Sequence, residues 1–421
     1  MKDTPPPRLS PTTVLQRAPD LELRLAGPDS IEIVAKGEWR RAPGSVLRVL
    51  DVFAEAKPLS EAVAQLQARG QTALEWIELT GIIRELWQGG VLCGAESADH
   101  QSLEASGYGS PRIHVEMLDD HQRTATYLKA IRAIVRPGDV VLDLGTGTGV
   151  LAAAAAQAGA SRVYAIEATG IGAAAQRLWE ANRLDDRITL IRGWSTRVDL
   201  PERVDVMISE LIGNDPLGER MLDLTEDARK RFLKPGARMI PEGVRIFAVP
   251  VAVPSAWLAK RVFTAEAAAA WSQEYGIDFC SLAREPLREG HSLWLQPTEA
   301  RDWPTAAAPV AVFSADMRSA TFSSAEVLRP VQAERSLRVN GVLEFFEAEL
   351  APGVTLSVNP ATAAESNHWR LRLVPLQNPL EVRAGDWLEM YYRQGVPGRR
   401  DTIEVRLPNE NALEQHAEYP R

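Results

Sequence analysis

From residue 21 to residue 34 apolar and polar side chains alternate, in LELRLA and again in IEIV, the period of a strand with one wet face. The period then lengthens. GSVLRVLDVFAEA sets Val46, Val49, Leu50 and Phe53 at helical spacing, LSEAVAQLQARG starts with a Ser cap and stops at Gly70, and ALEWIELTGIIRELWQGGVL closes in a Gly-Gly turn before a short strand. Residues 16–93 therefore predict three short helices with a small β-ribbon, a winged-helix-like module. Before it, the proline-rich MKDTPPPRLSPTT has no apolar centre, and residues 1–15 read as a disordered tail. After it, the polar GAESADHQSLEASG makes 94–107 a linker.

The pattern changes twice more. DVVLDLGTGTGVLAAAAAQAGASRVYAIEAT reads strand, glycine-rich turn, alanine-rich helix, strand, and VDVMIS reads as a further buried strand. This predicts a Rossmann-like α/β domain over 108–242. Beyond MIP come short alternating runs with turn residues between them, among them GVRIFAVPVAV, LRVNGVLEFFEAEL and LEVRAGDWLEMYYRQ. They predict an antiparallel β-barrel over 243–421, interrupted at about 255–285 by a helical arm rich in apolar residues, a candidate partner surface.

Composition narrows the function. The 421 residues carry a formal charge of -9, which repels polyphosphate and suits cationic partners. Within the first hundred residues 11 Lys and Arg face 14 Asp and Glu, and the third helix holds Glu75, Glu78 and Glu85 against Arg84 alone. A winged helix that reads DNA needs the opposite balance. No nucleic acid is expected as partner, and no membrane, because GVLAAAAAQAGA is too short and too weakly apolar to span one. Cys93 and Cys280 stand in no metal or redox spacing, so no metal is expected and both read as buried small hydrophobes of a cytoplasmic protein.

The glycines of the first turn, Gly145, Gly147 and Gly149, run G-x-G-x-G, whereas a dinucleotide fingerprint would place its third glycine where Val150 stands. The helix start behind them favours a carboxylate. Glu167, at the end of the next strand, can accept hydrogen bonds from both hydroxyls of a ribose. A nucleoside with an amino-acid tail satisfies both features, and S-adenosylmethionine is such a ligand.

IHVEMLDDHQRTATYLKAI, VLDLGTGTGVLAAAAAQAGASRVYAIE, SELIGNDPLGERML, LKPGARMIP and SNHWRLRLVPL occur in the order in which the protein arginine methyltransferase family carries them, and residues 108–421 resemble that family. The resemblance implies methyl transfer from S-adenosylmethionine, which leaves as S-adenosylhomocysteine, to a guanidinium nitrogen of arginine. It assigns Glu210 and Glu219 to the grip on the guanidinium, and His368 with Asp120 to removal of its proton. His114, Arg123, Asp143, Gly145, Gly147, Glu167, Ser195 and Thr196 fall to the cofactor, Arg123 on its carboxylate. Tyr108, Met117, Met221 and Trp369 fall to the substrate pocket. Two carboxylates are an apt clamp for a planar cation with five donors. The chain departs from the family pattern at Glu104-Ala105, where a Tyr-Phe pair is usual, at Thr196, usually Glu, at Asn367, usually Thr, and at Leu211 and Asn214, usually aromatic. The arm implies a homodimer.

Residues 16–93 also resemble the peptide-recognition element of enzymes that modify ribosomally made peptides. That likeness implies a leader peptide paired as an extra strand, a mode that needs no basic surface. A module that only packs on its neighbour is the other reading. For the whole chain the alternatives are a catalytically silent peptide-binding scaffold and a methyltransferase acting on a small guanidine.

Overall fold

The structure is a computed structural model, and it describes residues 9–18, 21–27, 30–35, 38–67, 73–89, 91–94, 109–217, 221–282, 292–321, 324–395 and 402–408. Tyr108 and Glu219 lie outside the described residues. The chain divides into two compact units, Met1–Ile113 with Thr169–Ile171, and His114–Ala168 with Gly172–Arg421.

In the first unit the strand Val14–Arg17 lies between Lys57–Pro58 and Leu92–Gly94, antiparallel to both. It begins inside the stretch read as a tail, because Leu15 is a fully buried member of the unit's core. A separate antiparallel meander runs Glu22–Gly27, Ser30–Ala35, Glu38–Pro43. Its third strand was not read from the sequence, since WRRAP has no clean alternation. The helices Val46–Val52, Leu59–Gln67 and Ala73–Gln88 follow. Val49, Phe53, Leu66, Leu79, Ile83 and Leu86 line their inner faces at three- and four-residue intervals and join Ile31 and Ile33 in one core. Leu23 pairs with Ile33 and Leu25 with Ile31. The outer strand nonetheless leaves Leu25 84% exposed and Leu23 42% exposed.

The second unit opens at His114, within helix α1 (Pro111–Asp119), and continues with helix α2 (His121–Ile134). Five parallel strands follow: β1 (Val140–Leu144), β2 (Arg162–Glu167), β3 (Ile188–Arg192), β4 (Val204–Ser209) and β5 (Leu233–Ile240), in spatial order β5-β4-β1-β2-β3. The strand order reverses between β1 and β4, and in open sheets of this kind ligands bind at the carboxyl ends of the strands at that point. Helix α3 (Val150–Gln157) buries Leu151, Ala152, Ala154, Ala155 and Ala156, small side chains that let it pack closely. Helices α4 (Gly172–Ala181) and α5 (Met221–Phe232) complete the layers.

The remainder is antiparallel, as expected. One sheet runs β7 (Leu293–Leu295), β12 (Leu371–Val382), β10 (Leu337–Ala351), β6 (Gly243–Val251), β8 (Val310–Asp316), with β11 (Val354–Ser357) on β10. A second runs β9 (Ala325–Gln332), β13 (Trp387–Gln394), β14 (Thr402–Arg406). Parallel and antiparallel sheets share a single hydrophobic core. Between β6 and β7 lie α6 (Ser255–Leu258) and α7 (Ala265–Tyr275), the latter capped by the Thr264 hydroxyl, which accepts from the Ala267 amide. Phe263, Trp271, Phe279 and Tyr275 touch edge to face along this arm, and Phe263, Tyr275 and Ile277 are exposed. Cys93 is buried, but Cys280, in this arm, is exposed rather than interior. No helix among the described residues is long and apolar enough to cross a membrane.

Candidate active site

The glycine loop follows β1. Asp143, on β1, has no solvent-exposed surface and accepts the Thr146 hydroxyl on Oδ2 at 2.6 Å, while its Oδ1 is buried without a partner. Burial pushes its carboxyl up to about 6 against the Thr146 hydrogen bond, which pulls the other way. Gly147 sits at φ 55°, and a Cβ there would stand 3.1 Å from Cε1 of His114, so the loop closes over the imidazole only without a side chain. The Gly147 amide donates to Oε2 of Glu167 at 2.9 Å, joining the ends of β1 and β2. The turn after β3 holds Ser195, buried, and Thr196, exposed. Arg231 of α5 donates to the Ser195 carbonyl at 2.8 Å and fixes that turn.

The strand β4 delivers Glu210. Tyr127, wholly buried on α2, donates its hydroxyl to the Ser209 carbonyl at 3.1 Å and holds the strand end. Leu211 then lies against the glycine loop: its Cδ2 is 2.7 Å from where a Cβ of Gly145 would stand. From the sequence, Arg123 belongs on a ligand carboxylate and Glu210 on a ligand guanidinium. The structure joins the two to each other. Nε of Arg123 donates to Oε2 of Glu210 at 2.9 Å, Nη2 donates to the same oxygen, and the side chains are 5% and 4% exposed. Nη1 reaches the Met117 carbonyl at 3.3 Å. Burial alone would lower the Arg123 pKa, but Glu210 opposes it and the net direction is up. The Ile212 amide donates to Oε1 of Glu210 at 3.2 Å.

Asp120 and His368, 248 residues apart, also meet. Oδ2 of Asp120 lies 2.9 Å from Nδ1 of His368 and accepts its amide at 3.1 Å, while Oδ1 accepts the Arg123 amide at 2.9 Å and caps α2. Burial would raise the Asp120 pKa, but the bonds from His368 and Arg123 hold it below the usual carboxylate range. Trp369, 1% exposed, donates Nε1 to the Ile212 carbonyl at 2.7 Å and packs edge to face on Phe346. Met221, also 1% exposed, begins α5.

Of the expected site residues, the structure thus brings Asp120, Arg123, Glu210, His368, Trp369 and Met117 into one connected cluster beside Gly145. It gathers Gly147, Glu167 and His114 into another, with Asp143 beneath the loop. Three residues that the sequence did not single out hold the loop after Glu210: Ile212, Asp215 and Gln394. Asn214 was noticed only as a replacement. The one signal in the sequence was the polar pair Asn214-Asp215 inside an otherwise apolar run.

Residues 119–246 match the family model of ribosomal protein L11 methyltransferase (PrmA), which covers the parallel sheet and its helices and makes this unit a methyltransferase fold. Over 326 residues the chain is 33% identical to the probable histone-arginine methyltransferase CARM1 of Oryza sativa subsp. indica, a match covering 73% of this chain. The chain spans only 60% of that relative's length. Over 304 residues it is 32% identical to the arginine N(omega)-methyltransferase of Streptomyces achromogenes subsp. streptozoticus, covering 69% of this chain and 79% of that protein. It also superposes on a chain of the Trypanosoma brucei PRMT1 enzyme-prozyme heterotetrameric complex with AdoHcy, with a TM-score of 0.59 and 25% identity over 71% of this chain and 98% of that one. The chain belongs to the arginine N-methyltransferase family.

Proposed function

We propose that the chain transfers a methyl group from S-adenosylmethionine to a guanidinium nitrogen of arginine in a peptide or protein. The observation that carries this reading is the buried Glu210 at the carboxyl end of β4, beside the glycine loop, with Oε2 taken by Arg123 and Oε1 by one amide. A carboxylate has about four acceptor sites. Three are used by the described residues, which leaves the fourth, on Oε1, to take an N–H of the acceptor guanidinium, with Glu219 as the second arm of the clamp. Arg123 orients the carboxylate through two N–H donors on one oxygen.

The residues present fit the cofactor. His114, packed against Gly147, closes one side of the glycine loop, Glu167 suits the ribose, and Ser195 with Thr196 borders the end of β3. When bound, S-adenosylmethionine supplies an electrophilic methyl group, and the product is S-adenosylhomocysteine; the Trypanosoma brucei neighbour is described with AdoHcy. Positioning of the acceptor nitrogen can lower the barrier by several kcal/mol, on the order of 7 to 11 in well-aligned intramolecular systems. The nitrogen loses a proton, and His368, oriented through Nδ1 by Asp120, is the group to receive it at Nε2. Tyr108, Met117, Met221 and Trp369 border the acceptor.

The Rossmann-like domain over 108–242 carries the methyl-transfer site, and the two antiparallel sheets are the walls of a β-barrel over 243–421. The first unit, as a winged-helix-like module, recruits the substrate. Its strand Glu22–Gly27 is an outer strand of the meander and leaves Leu23 and Leu25 open, so an extended precursor-peptide leader can add there by main-chain bonds. The exposed aromatic arm joins two copies in a homodimer, and the protein works in the cytoplasm.

Incubation with radiolabelled S-adenosylmethionine and a cell lysate, followed by acid hydrolysis of the labelled polymer, tests the central reading. Label in methylarginine is the expected result. Label confined to a small soluble guanidine would replace the substrate, and absence of label would leave the chain a binding scaffold.

A further inference from the structure

Resting on the reading that the loop from Glu210 to Glu219 holds the acceptor, we infer that Asp215 and Gln394 are positioning residues that set the shape of its Leu211–Leu217 part through a hydrogen-bonded latch. The loop leaves β4 and is tied to the antiparallel sheets at three successive points. Trp369 Nε1 donates to the Ile212 carbonyl at 2.7 Å, and the Arg370 amide donates to Oδ1 of Asn214 at 2.7 Å. The third tie is Gln394, at the end of β13, whose Nε2 donates to Oδ1 and Oδ2 of Asp215 at 3.1 and 3.3 Å. Asp215 also accepts the Leu217 amide on Oδ1 at 3.2 Å, which closes the turn two residues before Glu219.

The amide of Gln394 has one orientation that satisfies both ends. Its Oε1 accepts the hydroxyl of Tyr392, itself 1% exposed, so its Nε2 must face the carboxylate. Gln394 is 6% exposed, and a buried amide stripped of either partner would carry a desolvation penalty. The chain Tyr392–Gln394–Asp215–Leu217 therefore ties the loop from Asn214 to Leu217 to a core strand. Asn214 and Asp215 make ties that apolar side chains at those positions could not form. Glu210 is oriented separately, by Arg123 and the Ile212 amide, so the latch acts on the loop beyond it.

The test compares Asp215→Leu, Gln394→Leu and Asp215→Asn in the full chain, with a library of synthetic peptides holding one fixed arginine as acceptor. Asp215→Asn keeps an oxygen that can accept from both Gln394 and Leu217. The expected result is a loss of tenfold or more in kcat for Asp215→Leu and Gln394→Leu, roughly that of one misplaced hydrogen-bonding arm. Affinity for S-adenosylhomocysteine by calorimetry stays within about twofold, and Asp215→Asn recovers activity to within about threefold. Hydrogen exchange of peptides spanning 210–221 should rise in both leucine variants and return in Asp215→Asn. Activity at parental level in either leucine variant, or failure of Asp215→Asn to recover it, overturns the inference. If exchange behaves as stated while the parent methylates no arginine in the library, the latch stands and the substrate reading falls.

Discussion

Asp143→Asn should make the protein less sensitive to alkaline destabilisation. Asp143 is fully buried on β1, bonded to Thr146, and its pKa stands at about 6 against an ordinary 3.8. A carboxyl raised in the folded state holds its proton more tightly there than in the unfolded chain. Its contribution to stability is therefore complete below pH 3.8 and is lost as pH rises through about 6. The full span corresponds to about 3 kcal/mol, and about 1.5 kcal/mol of it falls between about pH 5 and about pH 7.5. An asparagine can accept the Thr146 hydroxyl on its carbonyl oxygen but has no proton to lose. Urea titrations of parent and variant across that range, following the transition of the larger unit, give the difference in stability at each pH. Any constant change in hydrogen bonding shifts the whole difference curve without altering its slope. The variant should gain on the parent by about 1.5 kcal/mol as the solution is made more alkaline. Parallel curves would show that the carboxyl is ionised throughout, and that burial does not control it.

Glu210→Gln should lower kcat/KM for an arginine acceptor by about 2 kcal/mol or more, roughly thirtyfold, and parental activity would remove Glu210 from the clamp. Glu210→Ala also strands the buried Arg123 guanidinium, so urea unfolding should show a loss of about 3 to 5 kcal/mol. Asp120→Asn keeps the cap on α2 through its carbonyl oxygen but removes the charge facing His368; kcat should fall at least about tenfold while thermal stability changes little, as read by pH-rate profiles beside melting curves. Leu25→Lys, on an exposed position, should leave stability within about 0.5 kcal/mol and raise KM severalfold for a leader-bearing peptide only, by steady-state kinetics with and without the leader. Light scattering at micromolar concentration should find a dimer that Phe263→Asp dissociates, and a lone monomer for the parent would contradict the role given to the arm.

The parts of this fold that could be read from the sequence were those whose signal is local. The G-x-G-x-G turn, the alanine-rich helix behind it and Glu167 at the next strand end all fall within one stretch of chain, where period and spacing suffice. The motif carrying Asp120 and the one carrying His368 were legible as separate motifs, and the family resemblance supplied their pairing. What stayed hidden depended on contacts between distant residues. Arg123 and Glu210 are 87 residues apart, and Gln394 stands 179 residues from Asp215. Nothing in WLEMYYRQ marks its last side chain as an anchor for a loop on another sheet. Local cues also misled where tertiary packing overruled them. Val14 and Leu15 close a proline-rich run and read as the end of its tail, yet they gain order because Leu15 enters a core built by three helices far along the chain.

The likeness to the PrmA model stops at residue 246, but folding does not. Val244, Ile246, Ala248 and Val249 on β6 belong to the same continuous core as Ile208 and Met239 of the parallel sheet. A truncation at that limit would cut through one strand and strip its neighbours of their cover. The portion most easily recognised is thus not excisable as a folded unit. Any shortened version has to retain the antiparallel half.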